Sequence, residues 1–146
     1  MGVSPVIVRE ARAGDAEALA SLMAELGYDV TNAQVRERLS ALGVDQGAFV
    51  AEHEAEVIGC LTISMTRVLH RPKPVGRISM MVVSEARRSG GVGRMLVEAA
   101  EAELARRGCG LVEVTSNERR ERAHRFYEGL GYERTSLRFA RDVSAR

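Results

Sequence analysis

Three glycines and three arginines lie close together after an apolar segment, in the run SEARRSGGVGR at 84–94. A strand that leads through such a turn into a helix can fold its backbone N–H groups into a concave anion site, to which the helix N-terminus adds unpaired donors. Glycine is needed where a Cβ would block close approach or where φ is positive. Arginine supplies charge suited to phosphate. The segment therefore predicts either an anion-binding turn or a glycine-rich turn whose arginines are solvated.

Two common nucleotide-binding patterns do not fit this turn. No Gly-Lys-Ser/Thr follows the glycines, as a Walker A loop requires, and the spacing differs from the dinucleotide pattern GxGxxG. A second run, NERRERAHRFYEGLGY at 117–132, lies further along the chain and combines one asparagine with a Phe-Tyr pair. The two runs, found in this order in one chain, are stronger evidence for a function than either run alone.

Together the two runs resemble the signatures of the GCN5-related N-acetyltransferase (GNAT) family. Arg88-x-x-Gly91-x-Gly93 resembles its acetyl-coenzyme A signature, and the later run resembles its second signature, Asn, then Ala-x-x-Phe-Tyr, then Gly-Tyr. The resemblance covers essentially the whole chain. Within the family, the tail from 123 to 139 is most similar to the aminoalkylphosphonate N-acetyltransferases, and glucosamine-phosphate acetyltransferases share parts of it.

The resemblance implies acetyl-CoA as co-substrate and direct acetyl transfer to a primary amine within a ternary complex. The backbone of the strand before the turn would bind the pantetheine arm and the oxyanion, and the turn would bind the pyrophosphate. An asparagine after a later strand would contact the pantetheine arm, although it could equally cap a helix. The cofactor residues implied in this way are Met81, Val82, Val83, Arg88, Ser89, Gly90, Gly91, Val92, Gly93, Arg94 and Asn117.

Tyr127 and Glu113 are the predicted catalytic side chains. A phenol of pKa about 10 stays protonated at neutral pH and can protonate a thiolate whose pKa is near 8.5; alternatively, Tyr127 is a core aromatic. Acidic residues implied in the strand before the turn are replaced here by Arg77 and Met80. Glu113, inside an apolar strand, is the leading substitute base, expected to be buried with a raised pKa. Pairing of Glu113 with an arginine, His70 as the base, or a water chain are the alternatives.

The segment between 67 and 77 is basic and lies where family members build the acceptor pocket. Its cations are Arg67, His70, Arg71, Lys73 and Arg77. They predict a small acceptor that bears phosphate, phosphonate or carboxylate. Two alternatives remain open: a protein or peptide N-acetyltransferase, and a CoA-binding module without catalysis.

Composition argues against several function classes, and a nucleic-acid binder that uses the basic loop ranks last among the alternatives. With 21 Lys+Arg against 20 Asp+Glu, the net charge of the 146 residues is +1, which argues against a nucleic-acid binder. No apolar stretch is long enough to span a membrane, and the first residues lead us to expect no secretory signal. Cys60 and Cys109 have no metal or redox spacing, and the three histidines give no ligand set, so no metal is predicted. We expect a cytoplasmic protein, and a homodimer is possible.

The elements needed to position these residues follow from the hydrophobic periodicity. The pattern predicts the order β-α-α-β-β-β-α-β-α-β, with the last strand in 132–143. Helix caps are expected at Asp15 and at the Thr31–Gln34 capping box. A near-continuous apolar strand at 78–83 predicts burial on both faces. The expected fold is one α/β domain over 1–146, of the three-layer GNAT type: a central mixed, mostly antiparallel sheet flanked by about four helices.

Overall fold

The computed structural model describes residues 4–88, 90–116 and 118–144, which form one five-stranded sheet and four α-helices. The strands are β1 (Ile7–Glu10), β2 (Gln46–His53), β3 (Glu56–Thr66), β4 (Val75–Val83) and β5 (Leu111–Val114). The helices are α1 (Ala16–Glu25), α2 (Asn32–Ser40), α3 (Val92–Arg106) and α4 (Glu121–Gly129). Short 3-10 helices, Ala13–Asp15 and Glu85–Arg87, precede α1 and α3.

The sheet has the strand order β1-β2-β3-β4-β5. The first three pairings are antiparallel, and β4 pairs with β5 in parallel, with α3 as the crossover between them. A parallel pair needs such a crossover because the chain must return to the same end of the sheet. The predicted mixed, mostly antiparallel sheet and the predicted four helices are confirmed.

The chain divides into two compact units. Met1–Val114 contains the whole sheet with α1, α2 and α3, and Thr115–Arg146 contains α4 and the C-terminal tail. No α-helix in the described part of the chain is long and apolar enough to cross a bilayer.

The core of the first unit lies on both faces of the sheet. A Cβ added to Gly59 would lie 3.2 Å from Leu96, and one added to Gly76 would lie 2.8 Å from Leu104, so these two positions face α3. On the other face, a second buried cluster joins α1 and α2 to the middle of the sheet. Its buried members are Ala16, Leu19, Leu22, Val35, Val50, Cys60 and Val82.

The two cysteine thiols differ in burial. Cys60 is buried, and burial raises its pKa to about 12. Cys109 is half-buried, and burial also raises its pKa. Because a thiol of raised pKa carries little thiolate at neutral pH, Cys60 is an unreactive core side chain.

The two predicted helix caps have different outcomes. The Thr31–Gln34 capping box is present: Gln34 N donates to Thr31 Oγ1 at 3.1 Å, and Thr31 N donates to Gln34 Oε1 at 3.0 Å. Asp15 occupies the N-cap of α1, but its side chain makes no capping bond to that helix. Its carboxylate instead accepts from Arg12 N at 2.8 Å and from the Arg9 guanidinium at 2.9 Å. The charged partner lowers the pKa of Asp15 and ties β1 to the start of α1.

The prediction of a last strand within 132–143 is wrong. The described residues of this tail form no strand, and Leu137, Phe139 and Val143 are 77%, 89% and 62% exposed. An alternating pattern forms a strand only when a neighbouring edge completes its hydrogen bonds. Among the described residues, no strand of the sheet pairs with the tail, so the periodicity alone is insufficient.

Candidate active site

Strands β4 and β5 separate half-way along β4. Pairing with β5 covers only four positions of β4, from Val75 to Ile78. Within the described residues, the remaining part of β4, up to Val83, has a partner strand only on the β3 side. A row of unpaired backbone N–H and C=O groups is a template for an extended partner. The second half of β4 therefore offers its backbone, at Met81, Val82 and Val83, to a ligand that carries amide groups.

This separation also corrects the prediction that 78–83 is buried on both faces. Ile78 and Val82 are buried, at 1% and 4% exposure, but Met80, Met81 and Val83 are half-buried and Ser79 is exposed. The missing neighbour on the β5 side explains the difference. A continuous apolar run is thus compatible with a strand that has one open edge.

The turn after β4 has the backbone geometry that was predicted from its glycines. Gly91 is the N-cap of α3 and has φ 82°, in the left-handed region that favours glycine. The first backbone bond of α3 runs from Met95 N to Gly91 O at 3.1 Å, and no side chain caps the helix. The N–H groups of Val92, Gly93 and Arg94 precede that bond, and such helix N-termini attract anions. Gly90 N donates to Arg87 O at 3.4 Å, which closes the turn. Ser89 lies outside the described residues.

The arginines of the turn differ in what they contact. The Arg94 guanidinium pairs with Glu98, one helical turn along α3, with Nε 3.0 Å from Oε1. Arg94 therefore contributes its backbone N–H to the turn, while its charge is shared with Glu98. The Arg88 side chain is exposed, and its Nε donates to Val83 O at 3.4 Å. Of these two side chains, that of Arg88 is the one bonded to the end of β4.

A polar row crosses the sheet where β4 is still paired on both sides. Ser64 of β3 and Glu113 of β5 both lie opposite Arg77 of β4 in the strand register. Residues in register on neighbouring strands project from the same face of a sheet. Because Gly76 faces α3, Arg77 and its two neighbours project from the other face.

The expectation that Glu113 is buried is wrong: the side chain is exposed. β5 is only four residues long and lies at the end of the described sheet, so it buries few of its own side chains. The apolar residues beside Glu113 in the sequence therefore do not shield its carboxylate from water. Glu113 lies level with Arg77, four positions before Met81. At 3.3 Å per residue, this is about 13 Å of strand from the backbone that would hold the acetyl group. Proton transfer from an amine at that backbone to Glu113 would therefore run through water.

The second unit contains Tyr127, the predicted acid. Its ring makes edge-on contacts with Phe126 and Tyr132, at centroid distances of 5.1 and 5.9 Å. Tyr132 N donates to Tyr127 O at 3.0 Å, and Gly131 has φ 97° at the end of α4. Burial raises the pKa of Tyr127, with a smaller opposing effect from Arg120. The phenol is thus protonated throughout the neutral range. Asn117 lies outside the described residues.

The basic loop between β3 and β4 is attached at one end and exposed elsewhere. Gly110 N donates to Pro74 O at 3.0 Å, and Pro74 is buried. The loop cations are exposed; they are Arg67, His70, Arg71 and Lys73. Arg77, at the strand end of the same segment, is half-buried.

Sequence reasoning missed the hydroxyl groups on this face. Thr62 and Ser79 lie against each other, with Oγ1 2.8 Å from Oγ. The available signal was the alternation of Thr62, Ser64 and Thr66 with apolar residues in β3, which marks one polar face of a strand.

Comparison with known proteins agrees with this geometry. The model of the acetyltransferase (GNAT) family matches residues 16–132, which include both β4 with its turn and α4. The chain belongs to the GNAT family. A curated relative, the aminoalkylphosphonate N-acetyltransferase of Salmonella typhimurium, is 31% identical over 143 residues, which cover 95% of this chain and 93% of the relative.

Solved structures of other GNAT enzymes have the same fold. An aminoglycoside N-acetyltransferase in complex with CoA matches with a TM-score of 0.85 at 18% identity, over 97% of each chain. Glucosamine-6-phosphate N-acetyltransferase from Arabidopsis thaliana matches with a TM-score of 0.81 at 20% identity, over 96% of this chain and 99% of that one. As a GNAT N-acetyltransferase, this chain is an acyltransferase with acetyl-CoA as co-substrate.

Unpaired backbone beside β4 and the glycine turn fit that co-substrate. Amide groups of a pantetheine arm complement an open strand edge, and a pyrophosphate complements the N–H groups of Val92, Gly93 and Arg94. Acetyl-CoA, when bound, supplies the activated acetyl group.

Proposed function

We propose that this enzyme acetylates the primary amine of a small, anionic molecule. The observation that carries the proposal is the charge of the acceptor side: residues 67–77 contain 4 Lys and Arg side chains and no acidic one. Those cations that lie between β3 and β4 are exposed next to the polar row, and the curated relative is by name an aminoalkylphosphonate N-acetyltransferase. A positive surface raises the local concentration of an anionic acceptor.

The proposed reaction is direct attack within a ternary complex. The neutral amine nitrogen forms a bond to the acetyl carbon, and the carbon–sulfur bond breaks. Backbone N–H groups of 81–83 stabilise the oxyanion, as donors aimed at developing charge do in acyl transfer. Tyr127, whose raised pKa keeps the phenol protonated, gives its proton to the leaving CoA thiolate. The proton that the attacking nitrogen loses as the amide forms passes through water to the phenolate and restores Tyr127.

Deprotonation of the acceptor is the remaining step. An alkylammonium has a pKa of about 10, so it must lose a proton before it can attack. In the proposed mechanism, this proton passes through water to Glu113, whose exposed carboxylate lies level with Arg77. We propose that residues 1–146 act as a single N-acetyltransferase domain.

An amine panel tests the proposal. Release of free thiol from acetyl-CoA would be followed with amines of one chain length that carry a phosphonate, a carboxylate or no charge. We expect higher kcat/KM for the anionic amines, with the difference shrinking as salt is added. Equal use of neutral and anionic amines would contradict the small anionic acceptor, and turnover of peptides alone would instead identify a protein acetyltransferase.

A further inference from the structure

One face of the sheet changes from apolar to polar along β3 and β4. Cys60 of β3 lies opposite Val82 of β4. These two side chains are 1% and 4% exposed and belong to the buried cluster that includes residues of α1. Two residues further along β3, Thr62 is half-buried. Two residues further still, Ser64 lies opposite Arg77. The loop 67–74 begins soon afterwards, at the end of β3. The helices that bury Cys60 and Val82 therefore leave Thr62 and Ser64 only half-buried.

A β-bulge marks the change. Thr62 is opposite Met80 and Ile63 is opposite Ile78, so Ser79 is an extra residue in β4. Bulges redirect side chains beside active sites. Here the Ser79 hydroxyl lies 2.8 Å from Thr62 Oγ1 and 3.2 Å from Thr62 O, and Ser79 is exposed.

The hydroxyl pair can donate to a ligand. Two hydroxyl groups carry two hydrogens, and one of them lies in the bond between Oγ1 and Oγ. When Ser79 donates to Thr62 Oγ1, the hydrogen of Thr62 is left for an outside acceptor. When Thr62 donates instead, Ser79 can turn from Thr62 O to that acceptor. An anion thus meets one hydroxyl donor in either arrangement.

Opposite charges lie on neighbouring strands of this face. Arg77 and Glu113 are in register on β4 and β5, which are about 4.8 Å apart. An anionic group at this level of the sheet therefore meets the charge of Arg77, whereas the reacting amine lies further along β4 and reaches Glu113 through water. By contrast, the resemblance to aminoalkylphosphonate enzymes implies an acidic residue at position 77, so the arginine there is a property of this chain.

We propose that Arg77 is the specificity-determining residue for the acceptor, together with the hydroxyls of Ser64 and of the Thr62–Ser79 pair. The guanidinium binds the anionic group of the acceptor on the sheet face, and the hydroxyl groups bind its remaining oxygens. This inference rests on the proposed function, because it explains how an anionic amine is selected. The exposed loop cations attract the acceptor but do not select it.

The donor set favours a tetrahedral group. Arg77 presents a fork of N–H donors, and the two hydroxyl positions add one donor each, so three oxygens can be bound. A phosphonate or phosphate ester offers three oxygens, and a carboxylate offers two. We therefore expect phosphonate amines to be used better than carboxylate amines of the same length.

The test is the ratio of kcat/KM for 2-aminoethylphosphonate to that for propylamine. Arg77→Gln removes the charge, and we expect this ratio to fall about 10- to 100-fold, mainly through KM for the phosphonate, as for the loss of a charged hydrogen bond. Arg77→Lys keeps the charge without the fork and should give an intermediate ratio. Thermal stabilisation by CoA, measured on each variant, shows that the protein is folded and binds its co-substrate.

Arg71→Gln is the matched control, since it removes one cation from the exposed loop. Its effect on the ratio should be under about 3-fold and should vanish at high salt. Ser79→Ala should lower use of the phosphonate amine a few-fold more than use of 3-aminopropanoate.

Failure of this inference differs from failure of the proposed function. A wild-type enzyme without preference for anionic amines would overturn the proposed function. A wild-type preference that survives in Arg77→Gln, or that is lost equally in Arg71→Gln, would overturn the role of Arg77 alone.

Discussion

The two halves of β4 are inferred to bind ligands in different ways, the first half through its side chains and the second half through its backbone. The first half, from Val75 to Ile78, is hydrogen-bonded to β3 and β5, so its backbone is occupied and only its side chains can meet a ligand. The second half has one open edge and runs into the glycine turn, so its backbone can bind directly. In the first half of β4, function should therefore depend on which side chains are present. In the second half, it should depend on the conformation of the backbone.

Replacement of Gly91 gives the largest expected effect on the backbone side of this comparison. Gly91→Val places a β-branched residue at φ 82°, which costs about 1–3 kcal/mol or displaces the turn. We expect CoA affinity to fall on the order of 100-fold, as measured by calorimetry. Gly108→Val is the control, because Gly108 has φ 94° just after the C-terminal end of α3, a helix length away from the turn. Gly108→Val should lower stability and retain CoA affinity; equal loss in both variants would mean a general folding defect.

Tyr127→Phe tests whether a side chain, in addition to the backbone, acts in the reaction by protonating the leaving CoA thiolate. We expect kcat to fall about 10- to 100-fold, with CoA affinity nearly unchanged, because only proton donation is lost. Burial raises the pKa of Tyr127, so the wild-type phenol stays protonated throughout the neutral range and activity falls only at more alkaline pH. The variant should lack this alkaline limb in a kcat–pH profile. An unchanged kcat would exclude Tyr127 as the acid.

Gly76→Ala tests the packing under the first half of β4. The new Cβ would lie 2.8 to 3.1 Å from three atoms of Leu104, which is fully buried and has little room to move. We expect a loss of about 1–3 kcal/mol in the free energy of unfolding, or roughly 3–10 °C in Tm. Gly14→Ala, with nothing within 4 Å of its added Cβ, should change Tm little. A silent Gly76→Ala would show that α3 lies less closely on the sheet than described.

Met81→Leu is expected to have the smallest effect, and it sharpens the comparison most directly. A volume-conserving change keeps the backbone of the open half of β4 in place. CoA affinity should change less than about 3-fold, although the substitution lies within the cofactor edge. A loss comparable to that of Gly91→Val would show that the Met81 side chain, and not its backbone, binds the co-substrate.

Prediction from sequence succeeded where one local signal was sufficient. The glycine turn, the Thr31–Gln34 box and the mixed sheet each follow from short patterns that the structure reproduces. It failed where the outcome depends on a distant neighbour. The exposure of Glu113 depends on what lies beside β5, and the missing strand in 132–143 depends on an available edge. The Thr62–Ser79 pair depends on a bulge that shifts the register, which periodicity does not reveal.

The aromatic contacts of α4 make the second unit observable on its own. The chain has 3 tyrosines and no tryptophan, so its near-ultraviolet signal comes mainly from tyrosine. Tyr127 and Tyr132 lie in the second unit in edge-on contact, and Tyr28 of the first unit is 61% exposed. Near-ultraviolet circular dichroism therefore reports chiefly on the order of residues 115–146, whereas far-ultraviolet signal reports on the sheet and helices of the whole chain. Melting followed at the two wavelengths would distinguish concerted unfolding from separate unfolding of the two units.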